Sequence, residues 1–128
     1  MLCSGDLHLK PRDMAKIGLL FLNGGEWKGT QVVSSAWCDA STAAFLDPND
    51  YTHEFPMADG YGYQWWQKTF KANSRSHPSF MAMGWGGQHI IVIPDLNMVV
   101  VTTAGNWYVA EAISPLKLIS DYIIPAVR

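Results

Sequence analysis

Charge is scarce in this chain. Only 16% of its residues are Asp, Glu, Lys or Arg, 48% are hydrophobic, and the net charge is −2. That balance excludes a disordered polyelectrolyte, and with Lys and Arg scattered there is no basic face for a nucleic acid. Cysteine is nearly absent. Cys3 and Cys38 make no disulfide framework and suit a reducing compartment or inert burial, although spacing alone leaves a bond between them open. No apolar run reaches the ~18–20 residues of a membrane span. Met1-Leu2-Cys3 passes directly into polar Ser4-Gly5-Asp6, without the basic and apolar regions of a signal peptide. The expectation is a cytoplasmic protein with neither membrane nor nucleic-acid partners.

The usual catalytic signatures are missing too. H-E-x-x-H, C-x-x-C, G-x-S-x-G and the phosphate-binding loop do not occur. His8, His53, His77 and His89 have no metal-ligand spacing, so no metal or other cofactor is expected. His89 stands out among them only because it follows a glycine-rich run into a strand.

What the chain does have is size and aromatic bulk. Its 128 residues suit one domain with a real core, and six Trp, five Tyr and five Phe can fill a core or line a cleft. Pro11-Arg12-Asp13 opens a helix over 11–22, weakened by Lys10 at the cap position and stopped by Asn23-Gly24-Gly25. Ser34 caps a short helix over 35–42, and residues 43–60 read as one long loop. Strands are expected over about 61–67, 87–93 and 98–103, with 71–79 as a polar loop and Pro94–Asn97 as a hairpin turn. The runs His89–Ile93 and Met98–Val101 are continuously apolar rather than alternating, which predicts burial on both sheet faces. Ser114-Pro115 starts a last helix over 115–124, ended by Pro125. The pattern is α+β: an antiparallel sheet of about three strands with helices on both faces.

Two stretches bear on chemistry. Ser114-Pro115-Leu116-Lys117 fits S-x-x-K, in which a lysine one helical turn beyond a serine can take its proton. Two fixed positions arise easily by chance, and no Tyr-x-Asn or Ser-x-Asn accompanies them, so Ser114 and Lys117 are read as helix cap and solvated lysine. The second stretch is Gly84-Trp85-Gly86-Gly87. Glycines weaken a strand, so this run is either a bulge beside a packed tryptophan or an edge kept bare for a ligand.

Taken together, residues 5–37 (GDLHLKPRDMAKIGLLFLNGGEWKGTQVVSSAW), YGYQWW, MAMGWGGQHIIVIPDLNMVVVTTAGN and DYIIPAV resemble the C-terminal part of the serine β-lactamase-like family. That family includes class C β-lactamases, penicillin-binding-protein-like esterases and related amide hydrolases. The resemblance implies a partial β-lactamase/transpeptidase-like fold. It matches Trp85-Gly86-Gly87 to the family's third motif on an inner strand, so that Trp85, Gly86, Gly87 and Gln88 bind substrate. The Gln88 N–H would be one oxyanion donor and Trp85 a pocket wall.

The family's nucleophile and tyrosine motifs have no counterpart ahead of these segments. The expectation is therefore a single truncated domain: a serine hydrolase fragment for amide or ester (β-lactam-like) substrates, inactive alone, with a separate N-terminal portion completing it. The alternative is a stand-alone, non-catalytic domain that binds a small ligand or has a structural role. Either would expose a sheet edge, which predicts a homodimer or higher oligomer.

Overall fold

The computed structural model of the protein describes residues 7–45, 58–105 and 114–127. Helix α1 (Pro11–Leu22) starts with Pro11 in its first turn, and Lys10 offers no side-chain cap. It stops where Asn23, Gly24 and Gly25 turn their N–H groups back onto the carbonyls of Leu19, Phe21 and Leu20. Strands β1 (Glu26–Trp27) and β2 (Thr30–Gln31) form a small hairpin. Lys28 and Gly29 at its tip both have positive φ, the geometry of a two-residue hairpin turn. The Ser34 hydroxyl accepts from the Trp37 N–H at 3.2 Å and so caps α2 (Ser35–Thr42). Cys38, on its buried side, carries a free thiol, whereas Cys3 lies outside the described residues.

The main sheet has five antiparallel strands in chain order, not three: β3 (Gly60–Tyr61), β4 (Trp66–Ala72), β5 (Arg75–Gly84), β6 (Gln88–Ile93) and β7 (Met98–Thr102). The segment 71–79, expected as a loop, is the tip of the β4–β5 hairpin, which turns at Asn73 and Ser74, both at positive φ. Its inward positions 77 and 79 are a histidine and a serine, both buried, so polar residues carry the alternation there. Residues 61–67, expected as one strand, break at a turn over 62–65, where Gln64 has positive φ. That turn drives Trp65 inward, with its ring 4.7 Å from Phe21 and 5.2 Å from Phe80.

Helices lie on both faces of the sheet. Helix α1 packs on β6 and β7 so closely that a Cβ at Gly18 would come within 2.5 Å of Val99 Cγ1. On the other face Phe70, Met81, Ile91 and Ile93 form one core with Leu116, Ile119 and Ile124 of the C-terminal helix α3. Neighbouring β6 side chains thus point to opposite buried faces, which is why the run is apolar throughout. Helix α3 covers 115–126 and widens into a π turn at Ile119–Ile123. Pro125 does not end it: the loosened hydrogen-bond register ahead of the proline leaves less for its missing N–H to break. No helix among the described residues is long and apolar enough to cross a membrane.

Candidate functional site

Trp85-Gly86-Gly87 is not on a strand. Gly84 and Gln88 are the closing pair of the β5–β6 hairpin, and the three residues between them are its turn. Gly86 and Gly87 have φ of 80° and 98°, which L side chains rarely adopt. A Cβ at Gly87 would also sit 3.0 Å from Ala104 Cβ. The glycines therefore serve the chain reversal. Trp85 is 68% exposed, so it is not a packed tryptophan beside a bulge either.

Polar contacts pin this turn to the end of β7. The Thr102 hydroxyl donates to the Gly87 carbonyl at 2.9 Å, and the Gln88 side-chain amide donates to the Ala104 carbonyl. His89 Nδ1 lies 2.8 Å from Thr102 Oγ1. Because the hydroxyl proton is committed to Gly87, Nδ1 must be the donor, which sets the imidazole tautomer. The arrangement is the reverse of a base activating a hydroxyl. Burial holds the His89 pKa below the ordinary histidine value, favouring the neutral ring.

The bare edge lies beside the turn. The β4 ladder on β5 ends at Trp66–Met81, while β5 runs on through Ala82, Met83 and Gly84. Those three residues pair with β6 and with no other strand among the described residues. Backbone groups alternate in direction along a strand, so the ladder fixes which face outward. Gly62 N–H bonds to Trp65 O (2.7 Å), and the Thr69 N–H points outward to Asp59 Oδ2, so odd residues of β4 face away from β5. The register then turns Met81 and Met83 toward the β4 side, and Gly84 toward β6. Gln88, expected as an oxyanion donor, is aimed at Gly84 within the hairpin. The outward N–H and C=O on the bare edge belong to Met83, which the sequence reading missed. Two glycines at left-handed positions marked a hairpin turn and, with it, the strand end three residues earlier.

Aromatic rings gather at the same end of the sheet. Tyr63, in the turn before β4, stands 5.2 Å from Trp37 and 4.5 Å from Phe45 by ring centroids, and Tyr61 lies 4.3 Å from Trp66. Trp37, Phe45 and Tyr63 are about half exposed.

Ser114 and Lys117 are not brought together as nucleophile and base. Lys117 is exposed and bonds to the Asp121 carboxylate, which raises its pKa and keeps it protonated. Ser114, expected as the α3 cap, makes no side-chain cap bond; its carbonyl accepts from Lys117 N–H at 2.9 Å instead. His8 is exposed and His77 Nδ1 lies 2.6 Å from Asp95 Oδ2. His53 falls outside the described residues. Among the described residues no three His, Cys, Asp or Glu side chains gather as a metal-binding group. What the site can do is present an open strand edge and aromatic surface.

An α+β domain with such an edge is compatible with a hydrolase scaffold, and the comparisons point the same way. No protein-family model matches the chain. It is 29% identical over 102 residues to 6-aminohexanoate-dimer hydrolase from Paenarthrobacter ureafaciens, covering 77% of this chain and 24% of that protein. A solved structure from Bacillus anthracis, provisionally named a 6-aminohexanoate-dimer hydrolase, superposes with a TM-score of 0.55 at 27% identity. It covers 79% of this chain and 24% of that one. The chain thus spans about a quarter of the length of each. Both similarities support the broad serine-hydrolase-like family, and neither singles out class C β-lactamases within it.

Proposed function

We propose that this chain is a C-terminal portion of an amide hydrolase of the serine β-lactamase-like kind and supplies one wall of its substrate cleft. The observation that carries this reading is the bare edge at Ala82–Gly84, beside an exposed Trp85, in a chain similar to 6-aminohexanoate-dimer hydrolases. An extended amide or ester substrate would lie along that edge. Its carbonyl would meet the Met83 N–H, with Trp85, Gly86, Gly87 and Gln88 forming the end of the cleft. Preorganised donors of this sort contribute a few kcal/mol to acyl transfer, on the order of 2.7–4.

Hydrolysis itself needs a nucleophile with a base in reach. Among the described residues no serine lies against a free base, so the chain alone is proposed to be inactive. The test is turnover by the purified chain of a chromogenic β-lactam, a short-chain p-nitrophenyl ester and 6-aminohexanoate dimer. No rate above background is expected. Turnover that Ser114→Ala abolishes would overturn the reading.

A second reading, a self-associating domain without catalysis, is favoured by β7. Val99 and Val101 turn their backbone groups outward on a sheet edge without charged residues or proline. Leu118, Tyr122 and Ile123 are exposed on α3, and Val127 is exposed just past its end.

A further inference from the structure

Three short segments build the end of the sheet where the bare edge lies. The α2 exit over 40–45, the β3–β4 hairpin over 60–67 and the end of β5 with its turn over 79–88 contain no Asp, Glu, Lys or Arg. Asp39, the acidic residue of α2, is two positions from Trp37 and so lies on another face of that helix. On this uncharged surface stand the half-exposed rings of Trp37, Phe45 and Tyr63. An apolar patch of this kind marks a place where something binds.

The rings are held in advance. The Tyr63 N–H donates to the Ser41 carbonyl at 2.9 Å, and the Phe45 N–H to the Tyr61 carbonyl at 3.2 Å. The Gln67 side-chain amide donates to the Thr42 carbonyl at 2.6 Å. The hairpin turn presses so closely on the α2 exit that a Cβ at Gly62 would come within 2.5 Å of the Ser41 and Ala43 carbonyl oxygens. A wall fixed by its backbone costs little to order when a ligand arrives. Tyr63 meets Trp37 and Phe45 with its ring plane inclined by 31° to one and 49° to the other. A rigid planar group could lie on one ring at a time, whereas a flexible chain could follow all three. The rings stand against one another rather than around an empty centre, so they form no cage for a cation.

The wall adjoins the bare edge. The ladder between β4 and β5 ends at Trp66–Met81, and β3 meets β4 at Tyr61–Trp66. The turn over 62–65 therefore lies past that last pair, at the end where β5 continues through Ala82–Gly84 to Trp85. We propose that the substrate is a neutral linear amide, and that Trp37, Tyr63 and Phe45 hold its flexible alkyl arm. The proposal deepens the cleft reading above and rests on it. A carboxylate or ammonium on this wall would lose water without meeting an opposite charge in the three segments.

The probe is N-butylhexanamide, titrated into this chain and followed by nuclear magnetic resonance at the Met83 N–H and the Trp37 indole N–H. Expected is saturable binding that shifts both signals together. Tyr63→Ala should weaken it by about five- to tenfold, and Tyr63→Phe should retain it. Circular dichroism checks folding, and Phe45→Ala replaces Tyr63→Ala if that variant does not fold. The compounds 6-amino-N-butylhexanamide and 6-aminohexanoate dimer place charge on a similar skeleton and should bind at least about fivefold more weakly. Equally tight binding of either, or of flat acetanilide, would overturn the neutral alkyl arm. So would a Met83 shift that ring removal leaves unchanged, and each of these outcomes leaves the bare-edge reading standing. No shift at Met83 with any of these amides would overturn the bare-edge reading and the proposal with it.

Discussion

At the scale of single residues, the chemistry beneath the 85–87 turn is a relay of two hydrogen bonds, from His89 to Thr102 and from Thr102 to the Gly87 carbonyl. It makes the domain sensitive to acid in a definite direction. In the folded chain burial lowers the His89 pKa, whereas in the unfolded chain it returns to about 6.5. The unfolded state therefore takes up the proton first. The resulting stabilisation is fully present above the ordinary histidine pKa and is lost as pH falls through the folded value. Urea unfolding at pH 7.5 and 5.5 should show a lower midpoint at the acid end, and His89→Asn should reduce that difference. The same residues show why local reading of the sequence fell short. His77 and Ser79 hold inward positions of β5 that a hydrophobic pattern cannot flag, because their polar groups are satisfied by Asp95 and by the Lys68 carbonyl.

At the scale of elements, the punctuation written in adjacent residues was legible. Pro11 opens α1, Asn23-Gly24-Gly25 closes it, and Ser34 caps α2 by a bond to the Trp37 N–H. The sheet was legible only where side chains are apolar. The β4–β5 hairpin turns on Asn73-Ser74, two polar residues at positive φ, and so passes for a loop. The glycine run was noticed but placed on the wrong element, since a glycine does not say whether it serves a turn or a close approach. Here it serves the turn. Gly87→Ala should therefore destabilise the fold by about 1–3 kcal/mol, through its backbone conformation and its contact with Ala104. Chemical denaturation measures this. An unchanged midpoint would mean that the turn tolerates a side chain and that its geometry is set by something else.

At the scale of the whole molecule, helices cover both faces of the sheet, and among the described residues no further strand pairs along its edges. Helix α1 and helix α3 bury β6 and its neighbours, while β7 presents Val99 and Val101 and β5 projects its last three residues past β4. A sheet with a long uncharged edge tends to pair with another chain. Sedimentation across the micromolar range should therefore show a homodimer or a larger species; a monomer throughout would remove the second reading.

The central claim is that Met83, not Gln88, offers its backbone to a substrate. Amide hydrogen exchange by nuclear magnetic resonance tests it directly. In the free chain the Met83 N–H should exchange quickly and the Gln88 N–H slowly, and a short linear amide at millimolar concentration should slow Met83 alone of the two. Slow exchange at Met83 in the free chain, or no change there when the amide is added, would contradict the account.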